Sequence, residues 1–384
     1  MSRKAVPFGI IGCGLMGREF ASVAARWCNL TDGSLRPEIV AVCDNDPDRM
    51  TWFRDSIPSV TTFTSDYREL LAIGELTGVY CAVPHNLHEQ FYVDILKAGK
   101  HLFGEKPFGI DRLASVAILR EVSRHPELTV RCSSEYPFFP PVQRIVQASR
   151  GGEFGKIIHV DVGYLHSSDL NPDKPINWKR IIALNGEYGC LGDLGLHIMH
   201  VPIRLGWKPE SVYAQLSKIV EERPDGRGGR VPCETWDNAT LHCQVNAPDN
   251  NFPMTVKAWR IDPGEVNTWY ISVKGTKNSM RFSTADPNTL WSMPYVTGQP
   301  QTWRREGVNY DPTYPTITGG IFEFGFADSF LQMWAAFMDE VAGETPRFGC
   351  ATPAETAGCH AVFTAALESQ KTNQVVTVRY DQPQ

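Results

Sequence analysis

The sequence predicts an α/β chain: an N-terminal doubly wound parallel sheet, then an α+β domain built on a large, open, mostly antiparallel sheet. Three observations predict it. In the first third, short apolar runs alternate with amphipathic helical stretches. A glycine-rich turn, Gly12-Cys13-Gly14-Leu15-Met16-Gly17, joins the first apolar run to the first helix. After about Ser134 the pattern becomes strand after strand, separated by turn formers such as Pro224-Asp225-Gly226-Arg227-Gly228-Gly229. The expected division is residues 1–134 and 135–384.

Taken in order, Phe8 to Ile11 is an apolar run that stops at glycine, as a buried parallel strand does. Arg18 to Cys28 follows as a helix, and Glu38 to Cys43 as a second strand ending at Asp44. Asp66 to Ala72 is helical, and Gly78 to Val83 is a strand closed by Pro84. Glu89 to Ala98 has one apolar face, Lys100 to Phe103 is a fourth strand, and Ile110 to Arg124 a further helix. Leu128 to Ser133 is the last strand of this half. The second half opens with a helix over Pro140 to Ser149. Strands follow over Lys156–Tyr164, Ser211–Val220, Ala239–Val245, Met254–Trp259, Trp269–Lys274 and Ser279–Phe282. Late helices, Ser329–Ala342 and Thr352–Ser369, precede a closing strand at Val375–Tyr380.

The 384 residues are 42% hydrophobic and 21% charged, an ordinary globular balance. A net charge of −6 argues against a nucleic-acid partner, which wants a basic face. No apolar run reaches the length of a membrane span, and the N-terminus lacks a secretory core. The ten cysteines include no C-x-x-C pair and no zinc spacing. They read as reduced, mostly buried thiols, and the expected location is the cytoplasm.

The glycine turn is a G-x-G-x-x-G motif in the context that gives it meaning, after a strand and opening a helix. Gly12 permits the turn, Gly14 leaves room for a pyrophosphate, and Gly17 lets helix and strand pack closely. The N–H groups of Leu15 and Met16 then lie at a helix N-terminus, where phosphates bind. Asp44 ends the second strand, where a carboxylate accepts the ribose hydroxyls and repels a 2′-phosphate, favouring NAD. The loop Pro84-His85-Asn86, with His88, closes the third strand and is expected at the cofactor or substrate.

Glu105-Lys106-Pro107 follows the fourth strand, and Gly192-Asp193-Leu194-Gly195-Leu196-His197 lies in the second half. Together with the glycine motif they make the chain resemble the Gfo/Idh/MocA oxidoreductases over nearly its whole length. The resemblance implies a Rossmann domain, a C-terminal open sheet, and dimers or tetramers assembled through that sheet. It implies a cofactor contact at Glu105 and Lys106, an active-site role for Lys106, and a catalytic or substrate-binding pair at Asp193 and His197. Chemistry agrees, because oxidising a secondary alcohol needs a proton acceptor, and an imidazole suits the task. Residues four apart on a helix share a face. The chain departs from the family pattern at His200, where an aspartate is common, and at Glu135, in the linker after the last parallel strand. It also departs in the stretch Asn185 to Cys190, where a glycine run is usual.

The leading functional reading is an NAD-dependent sugar or polyol dehydrogenase. A second is an NAD-dependent glycoside hydrolase, which oxidises the sugar transiently and returns the hydride. A non-catalytic dinucleotide sensor is disfavoured by the presence of Lys106, Asp193 and His197. The segment Asn171 to Arg180 carries Lys174, Lys179 and Arg180 beside Trp178. An aromatic face for a sugar ring next to cations leads to the expectation of an anionic sugar or a sulfonated or carboxylated glycoside, such as a sulfoquinovoside.

Overall fold

A computed structural model describes residues 3–247, 250–308 and 310–380. The chain forms two units. Residues 1–109, 113–138 and 311–353 make the first, and residues 110–112, 139–310 and 354–384 the second.

The first unit holds six strands: β1 (Lys4–Ile11), β2 (Leu35–Cys43), β3 (Thr62–Thr64), β4 (Gly78–Cys81), β5 (His101–Gly104) and β6 (Val130–Cys132). Every pairing is parallel, in the order β3-β2-β1-β4-β5-β6. That order reverses direction between β1 and β4, and ligands bind beyond the strand ends at such a switch point. Helices α1 (Leu15–Ala25), α2 (Pro47–Ser56), α3 (Tyr67–Leu71), α4 (His88–Lys97) and α5 (Arg112–Arg124) make the connections. The short strand β3 and helix α2 are not evident from sequence periodicity, since α2 buries only Met50 and Phe53. Its signal is at its start, where Asp46 caps the Asp48 N–H and Pro47 opens the helix.

The core of this unit differs from a single cut at 134/135. The helix Phe326–Val341, late in the chain, returns to it. Trp334 stacks on Phe20 with ring centroids 3.7 Å apart, and Phe337 stacks on Phe103 at 4.7 Å. A strongly apolar helix face matches a sheet face that the first 138 residues leave bare, which is why sequence order alone misplaces it.

In the second unit nine strands form one mixed sheet. They are β7 (Ile157–His166), β8 (Pro209–Ser217), β11 (Asn238–Ala247), β12 (Asn250–Trp259), β13 (Asn267–Gly275), β14 (Asn278–Ser283), β15 (Leu290–Pro294), β16 (Arg304–Glu306) and β17 (Val376–Thr377). A separate hairpin pairs β9 (Glu222–Pro224) with β10 (Arg230–Pro232). The sheet order is β16-β15-β14-β13-β7-β12-β11-β8-β17, antiparallel except between β7 and β12. Helices α6 (Pro140–Arg150), α7 (Ile182–Asn185) and α8 (Cys190–Arg204), with the helix Pro353–Thr372, complete the unit. Alternation along the central strands sends Val160, Val162, Met254, Val256, Ala258, Ile271 and Val273 inward. Helix α8 packs against β7 and β12 and is buried along nearly its whole length.

Candidate functional site

At the end of β1 the chain must turn sharply into α1, and three glycines make that possible for three separate reasons. Gly12 has φ of 98°, and a Cβ there would meet the Ala82 carbonyl oxygen at 2.3 Å. At Gly17 a Cβ would sit 2.1 Å from the Gly12 carbonyl oxygen, so α1 could not approach β1. A Cβ on Gly14 would meet no atom of the described residues within 4 Å beyond its own chain neighbours. Its missing side chain leaves open space above the helix N-terminus, as a pyrophosphate requires. Leu15 is exposed there, while Met16 packs its side chain on the core and offers only its main chain.

Asp44, at the end of β2, is buried at the same turn. Its Oδ2 accepts the Cys13 N–H at 2.8 Å and its Oδ1 accepts the Asp46 N–H at 2.9 Å. The carboxylate is thus fixed before any ligand arrives. Each oxygen has a second lone pair with which to accept a ribose hydroxyl. Open space at Gly14, helix N–H groups and a pre-set carboxylate together fit a dinucleotide.

The loop after β4 divides into different roles. Pro84 is half-buried and Asn86 exposed, whereas His85 and His88 are interior. His88 is reassigned from cofactor contact to structure. Its Nδ1 accepts the Gly109 N–H at 3.3 Å, so Nε2 carries the proton and donates to the Val83 carbonyl at 3.1 Å. The ring ties the loop after β4 to the loop after β5. In that second loop the Glu105 carboxylate turns inward, where Oε1 accepts the Tyr80 hydroxyl at 2.6 Å, and its carbonyl accepts the Tyr92 hydroxyl at 2.9 Å. Glu105 therefore anchors the loop by its side chain. Lys106, the next residue, is partly exposed, and its peptide bond to Pro107 is cis.

Glu135 follows β6, the parallel neighbour of β5, and is buried. Burial pushes its carboxyl up to about 8, and the nearby Glu105 charge adds to this while Lys106 opposes it. A protonated acid beside the lysine loop is the structural consequence of that departure from the family pattern.

In the second unit, α8 begins at Gly189, whose φ is 57°. A Cβ on Gly189 would meet the Trp236 nitrogen at 2.6 Å, so the start of α8 and Trp236 approach main chain to main chain only with glycine here. Asp193 and His197 both lie on α8 and are almost wholly buried. The Trp269 indole donates to the His197 carbonyl at 2.8 Å, and the Tyr164 ring meets the His197 ring edge-on at 5.7 Å. Asp193 Oδ2 receives Lys179 Nζ at 2.9 Å and Arg260 Nε at 3.3 Å. Arg260 has no sequence signal of its own. Only its arrival beside α8 in the fold reveals it.

The cationic segment is also reassigned in part. Arg180 has no exposed side-chain surface and bonds Asp169 at 2.5 Å as well as Asp237. It holds the interior together and cannot reach a substrate. Lys174 bonds Asp169 Oδ1 at 3.0 Å. Lys179 keeps 37% of its side chain exposed and lies 5.9 Å from the Trp178 ring. Acids that are remote in sequence, Asp193 and Asp237, match two of these cations, which is why the segment read as unbalanced charge.

His200 is fully interior, on the next turn of α8, 3.7 Å from Glu355. Burial, with Arg204 close by, lowers its imidazole to about 3, so it is neutral at physiological pH. Among the described residues there is no group of three or more metal-binding side chains, and no helix is long and apolar enough to cross a membrane.

Comparison with known proteins agrees with this geometry. Residues 6–130 match the Gfo/Idh/MocA profile described as an oxidoreductase family with an NAD-binding Rossmann fold, and residues 142–281 match its C-terminal domain. Levoglucosan dehydrogenase of Pseudarthrobacter phenanthrenivorans is 26% identical over 295 residues, 72% of this chain and 73% of that one. An inositol 2-dehydrogenase/D-chiro-inositol 3-dehydrogenase of Lactiplantibacillus plantarum is 23% identical over 174 residues, 45% of this chain and 47% of that one. A solved levoglucosan dehydrogenase, in complex with NADH and L-sorbose, superimposes with a TM-score of 0.86 at 20% identity, covering 98% of this chain and 100% of the other. The oxidoreductase domain protein of Kribbella flavida gives 0.87 at 22% identity, with 98% and 100% covered. The chain belongs to the Gfo/Idh/MocA oxidoreductase family, and the glycine turn at Gly12–Gly17 opens its NAD-binding domain.

Proposed function

We propose that this oxidoreductase is a dehydrogenase of a neutral sugar or polyol, oxidising a secondary hydroxyl with NAD. The observation that carries the reading is the pairing of Asp193 and His197 on one buried helix, with the Asp193 carboxylate held in place by two cations. Bound NAD supplies the hydride acceptor. His197 takes the hydroxyl proton as the carbon–hydrogen bond breaks, and Asp193 binds and orients that hydroxyl or its neighbour. Lys106 stabilises the developing alkoxide by its positive charge. Trp178, half-buried, offers an apolar face to a sugar ring, and Lys179 beside it donates to a ring hydroxyl. Asp44 selects NAD by accepting the ribose hydroxyls.

A neutral substrate is favoured because Lys174, Lys179 and Arg180 already bond carboxylates of the protein. The names of relatives point the same way, as levoglucosan and inositol are uncharged. The glycosidase alternative uses the same groups but returns the hydride. Incubation with NAD and a panel of levoglucosan, inositols, free hexoses, uronates and aryl glycosides separates the two. Net formation of NADH supports the dehydrogenase, and sugar release without it supports the hydrolase.

The cytoplasm is the compartment this reading requires for a free NAD supply. The outward face of the sheet supports self-association. It carries Lys257, Trp259, Tyr270 and Lys274, partly buried, with Lys274 at 4.4 Å and Arg281 at 4.5 Å from the Trp303 ring. Such a mixed aromatic and cationic surface is suited to an interface between copies. Light scattering that shows a monomer at micromolar concentration would reject the proposal.

A further inference from the structure

We infer that Arg260 is a positioning residue for Asp193, acting as a three-way clamp that sets the carboxylate's orientation at the start of α8; the inference rests on the proposed role of Asp193. Its own backbone is fixed first. The Arg260 N–H donates to the Asp237 carbonyl at 3.1 Å. The next residue, Ile261, exchanges two hydrogen bonds with the Asn238 side chain, at 3.1 Å and 2.9 Å. The end of β12 is thereby locked to the start of β11, and the arginine side chain leaves from a defined point.

The guanidinium then reaches three separate segments. Nε donates to Asp193 Oδ2 at 3.3 Å, Nη2 to the Gly189 carbonyl at 3.3 Å, and Nη1 to the Lys179 carbonyl at 3.4 Å. Gly189 is the residue that caps α8, and Lys179 is the residue whose ammonium meets the same Asp193 oxygen. One planar fork thus holds the helix start, the turn that carries Lys179, and the carboxylate itself. Only arginine has donors spread widely enough for this. Arg260 is 2% exposed, whereas Lys179 is 37% exposed on its side chain. The arginine therefore acts through Asp193, and the lysine stands nearer to solvent. A guanidinium buried against a carboxylate gains little net stability over an apolar pair, so a positioning role accounts for it better than stability does.

The test compares Arg260→Lys, Arg260→Met and Lys179→Met in the full-length protein. NAD affinity is measured by titration, turnover with levoglucosan and myo-inositol, and the Asp193 side-chain conformation by crystallography. For Arg260→Met the expected result is unchanged NAD affinity, kcat lower by roughly 100-fold, and Asp193 rotated out of its wild-type position. Arg260→Lys, which keeps the charge but not the fork, should recover about a tenth of wild-type kcat. Should Arg260→Met fail to fold, Arg260→Lys and Lys179→Met carry the comparison. An Asp193 conformation that is unchanged in the arginine variants, or turnover within about three-fold of wild type, overturns the clamp. If the wild type oxidises neither sugar, the dehydrogenase reading on these substrates fails, and the crystallographic comparison still decides the clamp.

Discussion

The NAD-binding turn of the first unit and the α8 cluster of the second are built by opposite means. At the NAD end of the first unit, function comes from side chains that are missing: Gly12 and Gly17 remove clashes, and Gly14 leaves space. At α8 in the second unit, the proposed catalytic cluster is made of side chains that are present and mutually charged, with Asp193 held by Lys179 and Arg260. The first kind of site is specified within six residues of chain, from Gly12 to Gly17. The second draws on Lys179, Gly189, Asp193 and Arg260, and exists only after β12 has returned beside α8.

If that contrast holds, removing the proton acceptor has the largest effect. His197→Asn should lower kcat by ~100- to 10,000-fold with NAD affinity unchanged. Turnover within about ten-fold of wild type in the variant would transfer the base role to another group.

The glycines give the next largest effect and separate the two kinds of absence. Gly14→Val should leave thermal stability near wild type and weaken NAD binding by ~100-fold, because a Cβ there would meet no atom of the described residues within 4 Å beyond its own chain neighbours. Gly17→Ala should weaken both, with stability falling by about 1–3 kcal/mol, because its Cβ meets main chain at 2.1 Å. Equal destabilisation by the two would erase the distinction between room for the ligand and room for the fold.

A smaller change is expected at Asp44. Asp44→Ala should cut the preference for NAD over NADP by ~10-fold or more in the ratio of kcat/KM values. A wild type that uses both cofactors equally would remove the assignment.

The smallest effect concerns Glu135. Its carboxyl is pushed up to about 8 by burial, so the folded protein keeps a proton that the unfolded chain releases near 4.5. The stability this lends is full below about pH 4.5 and is lost as pH rises through 8. Glu135→Gln should flatten the Tm profile between those limits by a few degrees. A profile that is parallel to wild type would mean that Glu135 is ionised in the fold.

The same contrast explains what could be read from the sequence. The parallel sheet and the glycine turn are local patterns that strand and helix periodicity and glycine spacing carry, whereas Lys106, Asp193 and His197 stand out only through the resemblance of their motifs to the family. Helix α2 was invisible because only Met50 and Phe53 face inward. The helix Phe326–Val341 was legible as a helix, but its return to Phe20 and Phe103 was not. Arg180 reads as a cation for an anionic sugar because Asp237, which neutralises it, is 57 residues away. His88 read as a ligand-loop residue because its acceptor and donor, Val83 and Gly109, are main-chain atoms. Arg260 carried no pattern at all. Charges paired across long stretches of chain leave no periodic trace.

The central claim is net hydride transfer from a neutral sugar to NAD. It is tested most directly by following reduced nicotinamide and sugar products together, with purified wild-type protein, NAD and levoglucosan or myo-inositol. The account predicts one NADH formed for each ketosugar, no glycosidic cleavage, and loss of both products in Lys106→Met. Sugar release from a glycoside with no net NADH, or oxidation that proceeds undiminished in Lys106→Met, would contradict it.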